Sequence, residues 1–449
     1  MMRRFLTSKT VPSSSALMVI CLLFISVKPL NGESFSLSAE QAVMLAQENN
    51  RTLKALDHQL KATELGIKSA VTGLLPQASL SSTYTRKSGN DMFSQFLGSD
   101  LKNSYSLGID VQQSLFNGFA TINSLRSART TSTLQKATNE KNAQTICFAV
   151  LQIYWSIMNL QKSEIVADEA IRQLEELTAS QKAMFDQGMA AEHDYLLTGA
   201  SLEQARMNLI EVTGTIETMK RQFAELLGLP VTTELKLIDT SVAPEVPPGD
   251  NDSIIAWALE NRPDLRESEL QLRLSNLGVK MNRSSLFPAV TAGYSWSASR
   301  PDQTLQDQWG DDWSAYIALN FTLFKWGDRF FKIRKAREEY LSLSLLHEQK
   351  KSMVEREVRD AFQEVEVSVK KLKAARLLAD AREKAYEASH AKYDEGVIPM
   401  YELLDSHSAL VSAKYQTVQA TTDLKLAVIN LTMAGLGGSS ESSDAGGSR

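Results

Sequence analysis

The tetrapeptide Phe185-Asp186-Gln187-Gly188 returns 208 residues later as Tyr393-Asp394-Glu395-Gly396. At the same offset Asp194 aligns with Glu402. Upstream the match continues at this offset, and near the start of each half it holds at an offset of 212. The aligned pairs include Leu115 and Leu323, Phe116 and Phe324, Arg126 and Arg334, Ala46 and Ala258, Leu53 and Leu265, and Pro76 and Pro288. Repetition over this length predicts an internally duplicated chain.

The proline distribution predicts unusually long helices. Proline is absent from 77–229 and from 302–398, and proline breaks helix interiors. A helix over 119–186 would be about 100 Å long at the usual rise per residue. Apolar residues at alternating three- and four-residue spacing in both stretches are typical of a coiled coil. We therefore expect a long helical hairpin in each half, with return helices over 191–227 and 401–434.

Each half also contains a shorter helix and two strands with period-two alternation. The shorter helices are predicted over 38–74 and 253–286. We expect the return helix of the first half to be continued in space by the shorter helix of the second, and the reverse. The strands are predicted over 77–87, 104–114, 289–299 and 313–323.

The N-terminus has the pattern of an export signal. Arg3, Arg4 and Lys9 precede an apolar core that is short for a membrane span. The predicted organisation is a signal peptide, a first repeat, an equatorial proline-rich linker, a second repeat and a disordered Gly/Ser-rich tail. Their boundaries are 1–32, 33–229, 230–252, 253–436 and 437–449.

The strand lengths favour a membrane β-barrel that is shared between chains. About 10 residues suffice for a tilted strand to cross a bilayer. Four strands cannot close into a barrel, and an open sheet edge is not tolerated in lipid. The alternative is a soluble four-stranded cap on a coiled coil. Aromatic residues near the strand ends would lie at the membrane interface in the first case and in a core in the second: Tyr84, Tyr105, Tyr294, Trp296, Trp313 and Tyr316.

Over residues 36–436 the chain resembles the TolC family of outer-membrane efflux and secretion proteins. The resemblance rests on Leu-Ala-Gln-Glu-Asn-Asn-Arg at 45–51 and its counterpart at 258–265, and on the Leu-Leu-Pro and Leu-Phe-Pro strand entries at 74–76 and 286–288. Its most specific element is Tyr-Asp-Glu-Gly at 393–396 leading into Tyr-Glu-Leu-Leu-Asp.

This resemblance implies a mainly α-helical homotrimer with a membrane β part. Four strands from each protomer would form a 12-stranded barrel in the outer-membrane lipid, above a coiled-coil tunnel in the periplasm. The implied function is passive export in a tripartite efflux or type I secretion system. The implied partners are a periplasmic adaptor and an inner-membrane RND or ABC transporter. The alternative function is that of a periplasmic coiled-coil scaffold or adaptor without a pore.

The same resemblance implies the positions of a gate. Glu402 and Asp405 match acidic residues that form rings near the periplasmic end of the tunnel, while Asp194 and Tyr393 match an acid–tyrosine link between coiled coils. Ile398 stands where the best-known member of the family has an arginine, so that clamp is absent. Adaptor docking is expected around the two tip glycines, Gly188 and Gly396.

Other function classes find little support in the sequence. A formal net charge of −5 disfavours a nucleic-acid-binding surface. No phosphate-binding loop or nucleophile–histidine motif is evident, so neither an enzyme nor a cofactor site is predicted. The five histidines lack metal-ligand spacing and are interpreted as surface residues. Of the two cysteines, Cys21 falls in the predicted signal peptide, leaving Cys147 as a lone thiol.

Overall fold

The computed structural model describes residues 35–86, 103–238, 251–304 and 306–436. Within these ranges the same order of element types occurs twice. The first succession is β1 (Phe35–Leu37), α1 (Ala39–Asn49), α2 (Arg51–Thr72), β2 (Gln77–Arg86), β3 (Asn103–Asn117), α3 (Ala120–Asp186) and α4 (Glu192–Leu226). The second is β4 (Leu235–Leu237), α5 (Asn251–Asn261), α6 (Pro263–Ser284), β5 (Ala289–Arg300), β6 (Gly310–Asn320), α7 (Asp328–Asp394) and α8 (Met400–Leu436). The predicted signal peptide and tail, and residues 239–250 of the predicted linker, lie outside the described residues.

Each of the two shorter predicted helices is in fact a pair of helices. Asn50 separates α1 from α2, and its side-chain oxygen accepts hydrogen bonds from the backbone N–H groups of Thr52 and Leu53, so it is a helix N-cap. Arg262 separates α5 from α6 with extended backbone (ψ 126°). Proline disfavours helical geometry in the residue before it, and Pro263 therefore explains the second break. The prediction of unbroken helices over 38–74 and 253–286 was wrong.

The longer strands form one antiparallel sheet in the order β2-β3-β5-β6. β3 runs to Asn117, three residues beyond the prediction, with an irregularity between Ser114 and Phe116. β6 ends at Asn320 rather than 323, because its partner β5 begins at Ala289, which pairs with Asn320. Phe321 and Leu323 continue the alternating pattern of β6 beyond Asn320, where β5 has no residue left to pair with them. In the order β2-β3-β5-β6, the strands β2 and β6 are the two edges of the sheet.

The main core lies at the level of β1 and β4, halfway along α3. These two strands pair in parallel and were not predicted. Tyr154 of α3 is fully buried, and its hydroxyl donates to the backbone oxygen of Ile238 beside β4. By length and composition α3 is the one helix of the described residues that is apolar enough to cross a membrane. Its Val150, Tyr154 and Ile157 are instead buried against α1 and α4.

The shorter helices continue the return helices in a different pairing from the one predicted. The Asn50 side-chain amide donates to Leu226 O at the end of α4, over 2.8 Å. An Arg262 guanidinium N–H donates to Ala434 O near the end of α8, over 3.4 Å. Thus α2 continues α4, and α6 continues α8. The predicted pairing, α4 with α6 and α8 with α2, treated the proline-rich linker 230–252 as a joint between them, whereas the described part of that linker forms β4, which pairs with β1.

Candidate functional site

The two hairpin tips have the same backbone cap. Gly188 and Gly396 have φ values of 74° and 73°, in the left-handed region that favours glycine. Around Gly188, the N–H of Met189 donates to Met184 O and that of Gly188 to Phe185 O, both over 2.8 Å. The same two bonds recur around Gly396. This is the Schellman motif, and it reverses the chain within about five residues at each tip.

The two predicted gate carboxylates lie on one exposed face of α8. Glu402 is in the first turn of α8 and Asp405 is three residues further on, and both side chains are exposed in the single chain. Residues three apart are neighbours on a helix surface. Leu403 and His407, on the opposite face, are buried. The packing of α8 therefore orients both carboxylates away from the rest of the protomer.

Tyr393 lies between the two hairpins with Gln181 as its hydrogen-bond partner. The Gln181 amide donates to the Tyr393 hydroxyl over 2.6 Å, joining α7 to α3. Burial raises the pKa of the Tyr393 phenol, and the nearby Asp194 carboxylate raises it further, against the lowering effect of the Gln181 bond. The phenol therefore stays protonated at neutral pH. The structure brings Asp194 close to Tyr393 but gives the hydroxyl another partner, and the acid–tyrosine link stays a prediction.

Further polar pairs connect the hairpin α3–α4 to the hairpin α7–α8. Three of them join α3 to α8, and the Gln181–Tyr393 pair completes the set nearest the tips. We call these eight residues the seam: Asn159 with Gln419 (2.7 Å), Glu169 with Lys414 (2.9 Å), Gln173 with His407 (3.0 Å), and Gln181 with Tyr393.

His407 is a buried member of the seam, so the interpretation of all histidines as surface residues was wrong. Its side chain is 5% exposed, and the Tyr386 ring of α7 lies 5.5 Å away between centroids. Burial lowers the pKa of the His407 imidazole, and the positive charge of Lys414 lowers it further. His407 is therefore neutral at pH 7, with Nε2 positioned to donate to Gln173.

The polar groups of the seam are incompletely paired. In the described part of the chain, the side-chain oxygens of Asn159 and Gln181 are buried without a hydrogen-bond partner. The same is true of Thr178 Oγ1, three residues from Gln181 on α3. A buried polar group without a partner costs about 1–3 kcal/mol. The two hairpins are therefore held together less tightly along the seam than across a fully paired polar interface.

Ile398 is half-buried behind the second tip glycine, next to Val397, which is 66% exposed. An aliphatic side chain cannot form the hydrogen bonds of the arginine that the resemblance places here. Among the residues described, no group of three or more His, Cys, Asp or Glu side chains is arranged to hold a metal ion.

A family model described as outer membrane efflux protein matches residues 42–229 and 254–437. These two segments contain both hairpins and all four strands of the sheet. The chain belongs to the outer membrane efflux protein family. The predicted resemblance is confirmed, and the members and structural neighbours found are channels rather than enzymes.

Curated relatives of this family member match over nearly the full length. The outer membrane efflux protein BepC of Brucella suis is 21% identical, and the match covers 91% of this chain and 88% of BepC. The outer membrane protein OprJ of Pseudomonas aeruginosa is 23% identical, covering 92% and 87%.

Two solved channels have the same fold as this family member. The Campylobacter jejuni CmeC outer membrane channel has a TM-score of 0.78 and 16% identity, over 88% of this chain and 85% of CmeC. The open state of the Neisseria gonorrhoeae MtrE channel has a TM-score of 0.74 and 17% identity, over 88% of each chain.

Sequence reasoning located the tips and, apart from Tyr393, missed the seam. The glycine caps were predictable because two short motifs repeat at one offset. Gln173, Gln181 and His407 are single residues in amphipathic helices, and nothing in their spacing distinguishes them from solvated positions. Their partners lie more than 200 residues away in sequence, so the pairing follows only from the helix order.

Proposed function

We propose that three copies of this chain form a passive export channel across the outer membrane. The observation that carries the proposal is the sheet: four antiparallel strands of 10 to 15 residues with unpaired edges at β2 and β6. A sheet in lipid must have no open edge. Joining β6 of one protomer to β2 of the next would close a 12-stranded barrel.

The surface of the sheet supports a membrane location. Every residue of β2 is exposed in the single chain. On the other edge strand, Ile317 and Leu319 are 73% and 66% exposed. Apolar side chains exposed on strands of this length are typical of a lipid-facing barrel wall. A soluble cap would bury them.

The gate is proposed at the hairpin tips. Three copies of Glu402 and Asp405 would bring six carboxylates close to the channel axis, and such acidic rings favour cations. The channel would open when the α7–α8 hairpin separates from the α3–α4 hairpin along the seam. The seam contacts broken in this way are polar pairs whose groups water can satisfy, and Leu404 would also leave the apolar cluster of the first hairpin. The energetic cost of opening is correspondingly modest.

The names of the relatives and the geometry of the hairpin tips support the proposed partners. The names of the relatives, such as the toluene efflux pump outer membrane protein TtgC of Pseudomonas putida, favour an efflux pump over type I secretion. A periplasmic adaptor would dock around Gly188 and Gly396. An inner-membrane transporter of the RND or ABC type would supply the substrate.

Ion selectivity in planar bilayers tests the proposal. Purified protein should insert as a trimer and conduct, with a preference for K⁺ over Cl⁻. The double variant Glu402→Gln/Asp405→Asn should lose most of that preference while still conducting. A matched variant, Glu211→Gln/Glu225→Gln, removes two exposed carboxylates from α4 and should leave the selectivity unchanged.

Two results would contradict the proposal in different ways. If the wild-type protein is monomeric without detergent and never conducts, the channel assignment fails, and a periplasmic scaffold becomes the better interpretation. If it conducts but both double variants keep the wild-type selectivity, the channel stands and the gate lies elsewhere.

A further inference from the structure

The two turns that lead from the sheet into the long helices share a backbone but differ in their side chains. Each has two consecutive residues with positive φ. In the first turn these are Gly118 (63°) and Phe119 (68°), and in the second Trp326 (47°) and Gly327 (78°). The pairs align at the offset of 208. The geometry has therefore been kept while glycine and the aromatic residue have exchanged places.

The aromatic residues of the first turn are less exposed than those of the second, with Phe119 53% exposed. The rings of Phe116, Phe119 and Phe287 lie 5.4 to 6.5 Å apart and contact each other edge to face. In the second turn the ring centroids of Trp326 and Phe324 are 5.0 Å apart, yet the Trp326 side chain is 86% exposed. Phe330 and Phe331, in the first turn of α7, are also mostly exposed.

The second turn is strongly cationic and the first is not. Residues 325–337 contain six Lys and Arg against a single carboxylate, whereas the aligned residues 117–129 contain two Arg and no carboxylate. Two of the six cations have arginine counterparts in the first half. The other four replace neutral polar residues: Lys325 for Asn117, Arg329 for Thr121, Lys332 for Ser124, and Lys335 for Ser127.

Partners within the chain neutralise only part of this charge. Asp328 lies 3.4 Å from the Lys325 ammonium and 3.0 Å from that of Lys332, and these two cations lower the pKa of its carboxyl group. The Arg329 guanidinium lies 5.7 Å above the Phe321 ring. The Asp328 carboxylate is thus shared by two lysines, and the Lys335 ammonium lies 3.8 Å from the Glu339 carboxylate. The surface retains excess positive charge beside exposed aromatic rings.

A second copy of the chain would not supply the missing anions. In a closed barrel the neighbour of β6 and α7 is the β2 and α2 edge of the next protomer. Residues 57–72 of α2 contain Lys61 and Lys68 against Asp57 and Glu64, and Asp57 is already paired with Lys61 over 2.7 Å. The segment 73–86, which includes β2, contains Arg86 and no acid. This edge therefore offers no excess negative charge to the turn, and we expect the compensating groups to come from outside the protein.

The position of the turn identifies those groups. All four helix–strand connections of the sheet, at 73–76, 118–119, 285–288 and 321–327, lie at the same end of the strands. In the proposed orientation this end is at the periplasmic leaflet, and the inference rests on that function. We propose that residues 323–337 bind the phosphate groups of anionic phospholipids of this leaflet. Lys325, Arg329, Lys332 and Lys335 bind phosphate, while Phe324 and Trp326 lie at the acyl boundary.

Lipid retention by the full-length protein tests this proposal. Detergent-purified protein is incubated with equal amounts of phosphatidylglycerol and phosphatidylcholine, and bound lipids are counted by native mass spectrometry. We expect a preference for phosphatidylglycerol that weakens with salt. The variant Lys325→Gln/Arg329→Gln/Lys332→Gln/Lys335→Gln should lose at least tenfold in that preference, since each surface cation is worth about a fivefold change.

The matched control removes four exposed cations from the same helix, far from the sheet: Lys370→Gln/Lys371→Gln/Lys373→Gln/Arg376→Gln. This control should retain the wild-type preference. Equal retention by both quadruple variants would overturn the proposal. So would a loss of trimers confined to the first variant, because that result would make the surface a subunit contact. Should the quadruple variant not fold, Lys332→Gln alone should lose about fivefold, and an unchanged preference would overturn the proposal. Conductance of the wild type is measured separately, so a failure of the channel function would be recognised.

Discussion

The interior of each hairpin and the seam between the hairpins differ in chemistry. Ile171 and Leu174 of α3 are buried with Leu202 of α4. The α7–α8 hairpin encloses a larger apolar cluster that includes Val365 and Leu424. Between the hairpins, the contacts toward the tips are the polar pairs of the seam, with Leu404 packed partly against the first cluster. At the level of β1 and β4, which we call the equator, the two hairpins meet through apolar contacts again.

This difference indicates which parts of the molecule move together. Apolar burial stabilises an interface only while water is excluded, so each hairpin should persist as a unit. Polar pairs exchange protein partners for water at small net cost. The apolar contacts at the equator would then act as the fixed end, and the tips would separate along the seam.

The largest expected effect comes from a cavity inside a hairpin. Leu174 is 4% exposed, and truncating a buried leucine to alanine costs about 2–5 kcal/mol. Leu174→Ala should therefore lower the melting temperature of the detergent-solubilised protein markedly. Thr178→Val, one helical turn away and three residues from Gln181 of the seam, removes a buried hydroxyl that has no hydrogen-bond partner among the described residues. It should leave the melting temperature unchanged or raise it by the equivalent of about 1 kcal/mol.

The informative result is the difference in melting temperature between these two variants. Similar large losses from both would mean that the seam is packed as tightly as the hairpin interior. Conductance should respond in the opposite order. Thr178→Val should make the closed state more persistent, whereas Leu174→Ala should affect opening little in the molecules that fold.

A smaller effect is expected from pH. In the closed seam the pKa of His407 lies below its ordinary value of 6.5 because of burial and Lys414. An opened, hydrated seam restores the ordinary pKa, so the open state binds more protons below pH 6.5. Falling pH should therefore favour opening. Single-channel open probability should rise several-fold between pH 7.5 and 5.

His407→Gln is the matched variant for this prediction, because glutamine can still donate to Gln173 but does not titrate. Its open probability should be flatter over the same pH range. Glu169, paired with Lys414, and the carboxylates at the tips are further acidic groups of this region, so the difference between wild type and variant is the result that counts. An identical pH profile for both would exclude His407 as the group responsible.

Sequence patterns predicted the elements of this fold better than their spatial arrangement. The long helices begin and end within about two residues of the predictions over 119–186, 191–227 and 401–434. Helix periodicity and glycine caps are local signals, and they carry that information. The stacking of α2 on α4 includes a hydrogen bond from Asn50 to Leu226, 176 residues apart in sequence. No local pattern encodes such a contact.

The candidate site shows the same limit. The positions of Gly188, Gly396, Glu402 and Asp405 follow from a motif that occurs twice. The buried state of His407 depends on α3 and α7 packing over it from elsewhere in the chain. Boundary errors such as that of β6 have a related cause, because alternation continues through Leu323 although the partner strand has ended.

Reversible cross-linking of the seam tests the central claim most directly. In a Cys147→Ser background, the pair Gln173→Cys/His407→Cys is bridged with a short bis-methanethiosulfonate. The control is Glu175→Cys/Arg206→Cys, which replaces a salt bridge of 2.8 Å inside the α3–α4 hairpin. We predict that bridging the seam abolishes the open state and that a reductant restores it, while bridging the control changes nothing. Full conductance through a channel with a bridged seam would contradict the account.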